Sequence, residues 1–457
     1  MEYLPPIISL IVIVIVARLL LKKYYPHAVL LLAGLLMIVI AKFLGQPMPG
    51  IKESTGWGGF DLFVYIKESF GKTNIGVGLM IMAIGGFVAY IDKIGASDAL
   101  VYIAMKPLAM LKKYPHLTTV TVLPIGQLLF VCIPSAAGLG LLLMASIFPI
   151  LIKLGVSRLS AVSVITACTA FGIGPASAIT ARATTIAEED SIVYFLDHQL
   201  PLIAPLCILL MISYYFTNRY FDAKNGQQKT DTVSEIKTDK ISLKAPLYYA
   251  IIPVLPLILL IVFSAFFQFF PIPIELDTTT AMFISLFVAM LFELFHKRNF
   301  GEVLKSLQVF WNGMGNIFKT VVTLIIAADI FSKGLIALGF IDGLIDSSQS
   351  LGWGGVGIGI VMAVMIFLAS MLMGSGNASF FAFAPLIPKL AKQLGVSSIS
   401  MILPMNLAAS MGRTVSPVAG VLIATSEIAG VSTMEIVKRN IIPFSVTLIF
   451  LLIYHFI

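Results

Sequence analysis

The 457-residue sequence has little charge and little cysteine. Only 12% of its residues are charged, against roughly 25% in an ordinary soluble domain, whereas 58% are hydrophobic and the mean hydropathy is +0.99. This shortage of charge excludes a soluble globular protein, so most of the chain must lie in lipid. The three cysteines, Cys132, Cys168 and Cys207, lie in separate apolar runs, which argues against a disulfide framework or a cysteine-ligated zinc site.

The N-terminus and the net charge exclude two further assignments. The first residues, Met-Glu-Tyr-Leu-Pro-Pro, carry neither a basic region nor a small-residue cleavage site, so we expect a retained first helix and no signal peptide. The net charge of +7 does not indicate a nucleic-acid partner, because the 30 Lys and Arg residues are dispersed along the chain.

What the sequence does contain is apolar runs of about 20 residues, the length that crosses a bilayer. Two predicted crossings, 158–182 and 397–425, are interrupted by Gly, Pro and hydroxyl residues. With the uninterrupted runs they predict an all-α polytopic membrane protein with ten crossings. The eight uninterrupted runs are 6–22, 27–45, 74–92, 199–217, 246–268, 278–295, 311–335 and 440–457.

Two other apolar stretches, 117–153 and 354–393, are too long for one helix and carry small polar residues at their centres. We interpret each as a re-entrant helical hairpin. Non-helical backbone at membrane depth must be satisfied by protein or by a water-filled cavity, so four interruptions predict a shared polar cavity. Kinked helices and turns outside the membrane are the alternative, since Gly and Pro are frequent in membrane helices.

The distribution of positive charge predicts the orientation. With the N-terminus outside, twenty Lys and Arg residues fall on the cytoplasmic side and eight on the other. Because cytoplasmic loops carry the basic excess, both termini are expected on the outer, periplasmic side. The polar stretch 218–245 has few large apolar residues and is predicted to be a cytoplasmic linker.

The linker separates two halves, 1–217 and 246–457, that resemble each other. Leu-Gly-Val-Ser occurs at 154–157 and again at 394–397, an offset of 240 residues. Each half has five predicted crossings and one hairpin, and an odd number of crossings inverts the second half. The residues that correspond at this offset include Ser135 with Ser375 and Gly172 with Gly412.

Inverted repeats with discontinuous helices are typical of secondary transporters that bind substrate near the membrane midplane. A structural repeat in a non-transporting protein is the alternative.

Arg413 is the most informative residue of the predicted site. An arginine in the middle of an apolar span costs at least about 2.5 kcal/mol on insertion scales, so it should face a cavity and a partner. Its own segment has no carboxylate, and a guanidinium is suited to bidentate binding of a substrate carboxylate. The alternatives are a structural pair with an acid of another helix, such as Asp329, or a snorkelling arginine.

The hairpin tips and helix breaks add further candidate contacts. Small residues at a tip let a ligand approach the N–H groups of helix N-termini, which favour an anion. Ile173 stands where Arg413 stands in the other half, so the predicted site is asymmetric. The candidate substrate-binding residues are Ser135, Gly138, Pro175 and Ser177 in the first half and Ser375, Gly376, Asn377, Arg413, Thr414 and Ser416 in the second.

Coupling is open between Na⁺ and H⁺, and no other cofactor is expected. Oxygens around Ser135 and Asn377 are possible sodium ligands. Asp329 is a candidate proton carrier, although a local pair with Lys333, four residues on, is the stronger interpretation. Arg182 is interpreted as an interfacial residue at a helix end.

At these residues the sequence resembles the DcuC family of anaerobic carriers for four-carbon dicarboxylates, within the ion transporter superfamily. The resemblance covers almost the whole chain and is most specific at 374–383 and 412–420, with support from 135–140. It implies a carrier for fumarate, succinate, malate or aspartate in the bacterial inner membrane, working by exchange, symport or efflux. It also implies a homodimer with an elevator mechanism.

By the same resemblance, residues 375–377 form a clamp at the tip, and Arg413, Thr414 and Ser416 contact the carboxylate. Ala178 and Ile179 stand where family members can have an acidic residue, which leaves the first-half contacts open.

Three other functions are the alternatives. A carrier of the same fold for another carboxylate or an amino acid differs only in substrate. An intramembrane enzyme is disfavoured, because the five histidines lie near predicted span ends and neither Gly-x-Ser-x-Gly nor His-Glu-x-x-His occurs. A channel would favour a continuous pore over two hairpins that meet at a closed site.

Overall fold

The computed structural model describes residues 4–107, 115–224, 245–264, 266–267, 274–351 and 354–456. All regular structure within these ranges is helical. The prediction of a polytopic all-α membrane protein is confirmed. Ten helical segments of the described chain are long and apolar enough to cross a membrane: Leu4–Leu21, Pro26–Phe43, Asp61–Lys93, Pro115–Cys132, Ala136–Lys153, Ser191–Lys224, Thr278–Lys297, Phe300–Ala337, Gly354–Met373 and Thr433–Phe456.

The first half contains twelve α-helices within the described residues. π-Helical turns at Asn74–Gly78 and Tyr194–Gln199 make α3 continuous with α4 and α11 with α12. The helices are α1 (Leu4–Leu21), α2 (Pro26–Phe43), α3 (Asp61–Thr73), α4 (Leu79–Lys93), α5 (Ala96–Met105), α6 (Pro115–Cys132), α7 (Ala136–Ser146), α8 (Phe148–Lys153), α9 (Arg158–Ala167), α10 (Ala178–Ala187), α11 (Ser191–Val193) and α12 (Leu200–Lys224).

The second half contains eleven α-helices within its described residues. A 3₁₀ turn, Leu247–Val254, precedes α13, and a π-helical turn, Phe318–Val322, joins α15 to α16. The helices are α13 (Leu255–Val262), α14 (Thr278–Lys297), α15 (Phe300–Ile317), α16 (Thr323–Ala337), α17 (Phe340–Leu351), α18 (Gly354–Met373), α19 (Gly376–Phe383), α20 (Ile387–Leu394), α21 (Ser398–Thr414), α22 (Gly420–Ala429) and α23 (Thr433–Phe456).

The helix predicted over 246–268 is present but is shorter and irregular. Leu247–Val254 is a 3₁₀ helix and Leu255–Val262 is the short helix α13, so the helical segment ends at Val262. Pro253 and Pro256 lack N–H donors, so they interrupt the hydrogen bonds that a continuous α-helix requires. The structure therefore has the predicted number of long apolar segments but a different set, because it includes the arms of the hairpins.

The predicted linker 218–245 begins too early. Helix α12 continues to Lys224, and residues 225–244 of the predicted linker lie outside the described residues. Two other predicted spans are longer than expected: 74–92 lies within Asp61–Lys93, and 311–335 lies within Phe300–Ala337.

Turns occur within both ranges where the sequence places hairpins. Residues 133–135 separate α6 from α7, and residues 374–375 separate α18 from α19. Likewise, the two predicted broken helices are interrupted, at 168–177 between α9 and α10 and at 415–419 between α21 and α22. We call 168–177 the first break and 415–419 the second break.

Serine residues are the N-caps of corresponding helices in the two halves. The Ser135 hydroxyl accepts a hydrogen bond from the Gly138 N–H, and the Ser375 hydroxyl accepts one from the Ala378 N–H, each at 3.2 Å. Helices α9 and α21 start in the same way, with Ser157 and Ser397 as their N-caps. These caps satisfy N–H groups that a helix N-terminus leaves unpaired, which fixes where the chain turns.

The hairpin turns lie against the breaks. Gly374 has φ +71°, and a Cβ there would lie 2.9 Å from the Val418 carbonyl carbon in the second break. Gly174 in the first break has φ +94°, and a Cβ there would lie 2.8 Å from the side chain of Val131, near the first turn. Glycine tolerates both the positive φ and the close approach. Each hairpin tip is therefore packed on a helix break.

The remaining helices pack beside this arrangement. Helix α2 packs along α16 and α4 along α15, whereas α18 packs on α21 and α7 on α22. We call α6–α12 with α18–α23 the hairpin region, and α1–α5 with α13–α17 the flanking helices. The candidate site residues all belong to the hairpin region.

Candidate functional site

Arg413 lies in the last turn of α21, beside the first break. Its Nη2 donates a hydrogen bond to the Thr169 carbonyl, and its guanidinium lies 5.9 Å from the centre of the Phe130 ring. The Thr169 carbonyl follows the C-terminal end of α9, where the helix dipole favours a cation. The second half thus supplies the positive charge, and the first half supplies the carbonyl that receives it.

No carboxylate of the described residues pairs with Arg413. In the described part of the chain, Arg413 takes part in none of the ion pairs. Its Nε is buried and has no hydrogen-bond partner among these residues. Asp329, the acid considered as a structural partner, instead lies 3.4 Å from Lys333 and 4.0 Å from Arg182. The guanidinium therefore has a free donor and an uncompensated charge.

The hydroxyl groups beside Arg413 bond to the local backbone. Thr414 Oγ1 donates to the Ser410 carbonyl at 3.1 Å, and Ser416 Oγ accepts from the Val418 N–H at 3.3 Å. Both side chains are fully buried. In this conformation the hydroxyls of Thr414 and Ser416 stabilise the backbone at the second break. Arg413 Nε is therefore the group beside them that remains available to a ligand.

The second hairpin tip approaches the site through glycine. A Cβ on Gly376 would lie 2.8 Å from the Ala409 carbonyl oxygen of α21 and 3.5 Å from the Ile179 side chain of α10. Gly376 therefore brings the tip against both broken helices. Asn377, the next residue, is half-buried. In the first tip, a Cβ on Gly138 would lie 2.9 Å from the hydroxyl of Ser135.

The first break has two different sides. Ser177 faces inward, since its hydroxyl lies 3.9 Å from the position that a Cβ on Gly172 would take. Pro175 instead lines an apolar crevice with Phe87, Pro253 and Met282 of the flanking helices. The structure thus brings Ser177 towards α21 and places Pro175 at the boundary with the flanking helices.

Gln199 holds the first break and was not predicted. Its Oε1 accepts from the Gly174 N–H at 2.9 Å, and its Nε2 lies 3.0 Å from Thr180 Oγ1 and 2.7 Å from Asn406 Oδ1. Gln199 is fully buried. It satisfies the unwound backbone and joins the first break to α21 of the other half.

Asn440 holds the second break in a corresponding way and was also not predicted. Its Nδ2 donates to the Thr414 carbonyl at 2.9 Å and to Thr166 Oγ1 at 3.2 Å, and its Oδ1 accepts from the Tyr214 hydroxyl at 2.8 Å. Thus one amide side chain serves each break and reaches across to the other half. Gln199 and Asn440 are each the first residue of a predicted span, 199–217 and 440–457, and a polar residue in that position of both halves was the available signal.

A charged cluster lies where α10 meets the flanking helices. Asp329 of α16 accepts a hydrogen bond from Ser69 at 2.7 Å and pairs with Lys333 at 3.4 Å, which confirms the predicted local pair. Arg182 of α10 lies 4.0 Å from the same carboxylate and is only 8% exposed. The interpretation of Arg182 as an interfacial residue is therefore wrong, because its charge is buried against Asp329 of a distant helix.

The described residues contain no group of three or more His, Cys, Asp or Glu side chains that could hold a metal ion. Cys132, Cys168 and Cys207 are free.

The fold matches two solved membrane transporters. The YdaH transporter of Alcanivorax borkumensis superposes with a TM-score of 0.62 at 14% identity, over 94% of this chain and 98% of that one. MtrF of Neisseria gonorrhoeae superposes with a TM-score of 0.60 at 13% identity, over 95% of this chain and 94% of that one. The molecule is a multi-pass membrane protein with the fold of these transporters.

Sequence comparison identifies the family. The model of the DcuC family, the C4-dicarboxylate anaerobic carriers, matches residues 4–457. The anaerobic C4-dicarboxylate transporter DcuC of Escherichia coli K12 is 34% identical over 423 residues, which cover 92% of this chain and 89% of that protein. A probable DcuC of Vibrio cholerae is 34% identical over 413 residues, 90% of this chain and 88% of that protein.

The chain belongs to the DcuC family. Both the resemblance seen in the sequence and the expectation of a carrier rather than an enzyme are confirmed.

Proposed function

We propose that this protein is a secondary active transporter that moves C4-dicarboxylates such as fumarate, succinate, malate and aspartate across the bacterial inner membrane. Its relatives in E. coli and V. cholerae are named for C4-dicarboxylate transport, and it spans most of their length. The observation that carries the proposal is the state of Arg413, a partly buried cation whose buried Nε has no hydrogen-bond partner and which has no acid partner among the described residues.

The substrate supplies the missing negative charge. A carboxylate accepts two parallel hydrogen bonds from a guanidinium, and such charge-assisted bonds are about twice as strong as neutral ones. Without substrate, the Thr169 carbonyl compensates Arg413 only in part, because it is a dipole rather than a charge. A bound carboxylate therefore stabilises Arg413 more than the Thr169 carbonyl does alone. The substrate-bound state is the one that a carrier must move across the membrane.

The hairpin tips close the site in this proposal. Ser135 and Ser375 begin α7 and α19, and N–H groups at helix N-termini attract an anion. Gly376 brings the second tip against α21, and Gly138 follows Ser135 in the first tip. Asn377 is the next residue of the second tip. The tips thus attract the substrate anion while one of its carboxylates binds Arg413.

The two halves are proposed to be inverted repeats that work by an elevator mechanism in a homodimer, with both termini on the periplasmic side. The paired hairpins and breaks support the repeat, because they follow in the same order in both halves. The pairing of flanking helices with one another, α2 with α16 and α4 with α15, supports a scaffold against which the hairpin region moves. Either Na⁺ or H⁺ would couple transport in a symport mode.

Counterflow in proteoliposomes tests the proposal. Vesicles loaded with unlabelled succinate should accumulate labelled fumarate in a saturable manner, and monocarboxylates and amino acids that carry a single carboxylate should fail to drive it. Sodium and proton gradients imposed one at a time identify the coupling ion. Failure of every four-carbon diacid to exchange would contradict the proposed substrate class.

A further inference from the structure

Three polar residues form one row along α21. Asn406, Ser410 and Arg413 are spaced four and three residues apart, which places them on one face of the helix. Each has a buried polar atom without a hydrogen-bond partner among the described residues: Asn406 Nδ2, Ser410 Oγ and Arg413 Nε. Asn406 is 0% exposed and Ser410 only 1%. We call these three residues the α21 row.

The α21 row faces the first break. A Cβ on Gly172 would lie 2.3 Å from Ser410 Oγ, so the glycine leaves open a space that any other residue would fill. At one end of the row, Asn406 Oδ1 accepts from Gln199, which leaves Nδ2 free. At the other end, Arg413 Nη2 donates to the Thr169 carbonyl, which leaves Nε free.

Such unpaired atoms are expensive in a folded protein. Leaving a buried donor unsatisfied costs about 1–3 kcal/mol, and native structures keep only a few of them per hundred residues. Three on a single face of one helix point to a ligand. The free atoms of Asn406 and Arg413 only donate, and a serine hydroxyl donates as readily as it accepts. The ligand that fits is therefore a hydrogen-bond acceptor, and the charge of Arg413 makes it an anion.

We infer that the α21 row is a carboxylate-binding subsite, in which Arg413 Nε and Ser410 Oγ share one carboxylate of the substrate. Asn406 Nδ2 lies one turn away, about 6 Å along the helix axis, and donates to the far end of the diacid. Gly172 keeps the approach to Ser410 free. The inference rests on the proposed function and adds Asn406 and Ser410 to the residues that bind the substrate.

Two variants distinguish a role of the α21 row in substrate binding from a role in folding. Ser410→Ala removes only the unpaired hydroxyl. Asn406→Asp keeps the oxygen that accepts from Gln199 but replaces the free donor with a charged acceptor, which repels a carboxylate. Ser285→Ala is the matched control, because the buried Ser285 hydroxyl of α14 donates to the Ala281 carbonyl of its own helix at 2.7 Å.

The measurement is KM and maximal rate of succinate counterflow in proteoliposomes. Since a hydrogen bond to a charged group contributes about 1.5–3 kcal/mol, Ser410→Ala should raise KM by about tenfold or more. Asn406→Asp should raise it further, while Ser285→Ala stays within about twofold of the unmodified protein. A merely structural role would lower the maximal rate or the amount of protein and leave KM unchanged.

Labelling gives a second readout that does not depend on the folding of Asn406→Asp. In Ser410→Cys, modification at position 410 by a small thiol reagent is followed by mass spectrometry. Succinate at concentrations near KM should protect position 410 by about half. Absence of protection, or an unchanged KM in Ser410→Ala, overturns the inference whenever the unmodified protein exchanges dicarboxylates. If the unmodified protein exchanges none, the proposed function fails and the inference falls with it.

Discussion

The two helix breaks differ in the charge beside them but share the way in which they are held. Neither break contains a charged residue, but Arg413 lies two residues before the second break and donates a hydrogen bond to the Thr169 carbonyl of the first. Gln199 bonds Gly174 in the first break, and Asn440 bonds Thr414 at the edge of the second, each through its side-chain amide.

The positions of these contacts agree with the repeat. Gly174 and Thr414, which bond to the two amides, lie 240 residues apart, as do Thr166 and Asn406, which the amides reach in the opposite half. The hydrogen bonds that hold the two breaks are thus present in both halves, whereas the positive charge of Arg413 is present in the second half alone. The second half thus provides the cation, Arg413, and the first half provides a backbone carbonyl and the space at Gly172 beside it.

The largest effect is expected from Arg413→Lys. An ammonium group is a point charge and cannot reproduce the planar fork that binds a carboxylate through two bonds. Succinate uptake should fall by at least about a hundredfold, as expected for the loss of a charge-assisted pair of roughly 3 kcal/mol. Arg158→Lys is the control, since Arg158 is exposed and makes only a 3.4 Å contact with the Ala429 carbonyl. Unchanged uptake would assign Arg413 to structure.

Stability should respond equally at the two breaks. Gln199→Leu and Asn440→Leu each remove bonds to three buried partners. One partner in each set, Thr180 or Thr166, keeps a bond to a backbone carbonyl, so two are left unsatisfied at about 1–3 kcal/mol each. Thermal melting of the purified variants should show large and similar losses. Tyr214→Phe, which removes one donor to Asn440, should lose far less. A large loss at one break alone would mean that the halves are not held alike.

An intermediate effect is expected at the charged cluster. Asp329→Asn keeps a group that accepts from Ser69 but leaves Lys333 and the buried Arg182 without their counter-charge. Removal of one partner of a buried ion pair is destabilising. We expect a maximal transport rate several-fold lower, with KM unchanged, because this cluster joins α10 to the flanking helices.

Asp342→Asn is the control for this variant, since its pair with Lys389 is exposed. A changed KM in Asp329→Asn would place Asp329 in the binding site.

The smallest effect, a slight loss of stability, is expected at the two hairpin tips. Ser135→Ala and Ser375→Ala each remove an N-cap, which stabilises a helix by about 1 kcal/mol. Both should lower the melting temperature slightly and to a similar extent, as should Ser397→Ala in the cap of α21. A higher KM in Ser375→Ala alone would indicate that the second tip also touches the substrate.

The sequence predicts those features that depend only on residue types and their local order. Apolar length gives the polytopic fold, and an arginine within an apolar span stands out because its insertion is unfavourable. The interruptions at 168–177 and 415–419 are visible because Gly, Pro and hydroxyl residues are clustered there. These features need no knowledge of distant contacts.

Other features depend on contacts between distant parts of the chain. Gln199 and Asn440 are ordinary polar residues near the ends of predicted spans, and only the three-dimensional packing brings each to a break. The pair of Arg182 with Asp329 likewise joins residues far apart in sequence. The helix predicted over 246–268 is shorter and irregular for a local reason, because hydropathy does not register the missing N–H groups of Pro253 and Pro256.

Equilibrium binding of labelled succinate to the purified protein tests most directly whether the substrate carboxylate neutralises Arg413. The account predicts saturable binding that unlabelled fumarate displaces, and at least about a hundredfold weaker binding in Arg413→Lys, consistent with the loss of a charge-assisted pair. The melting temperature of the variant without ligand should stay close to that of the unmodified protein. Equal affinity of the two proteins for succinate would contradict the account.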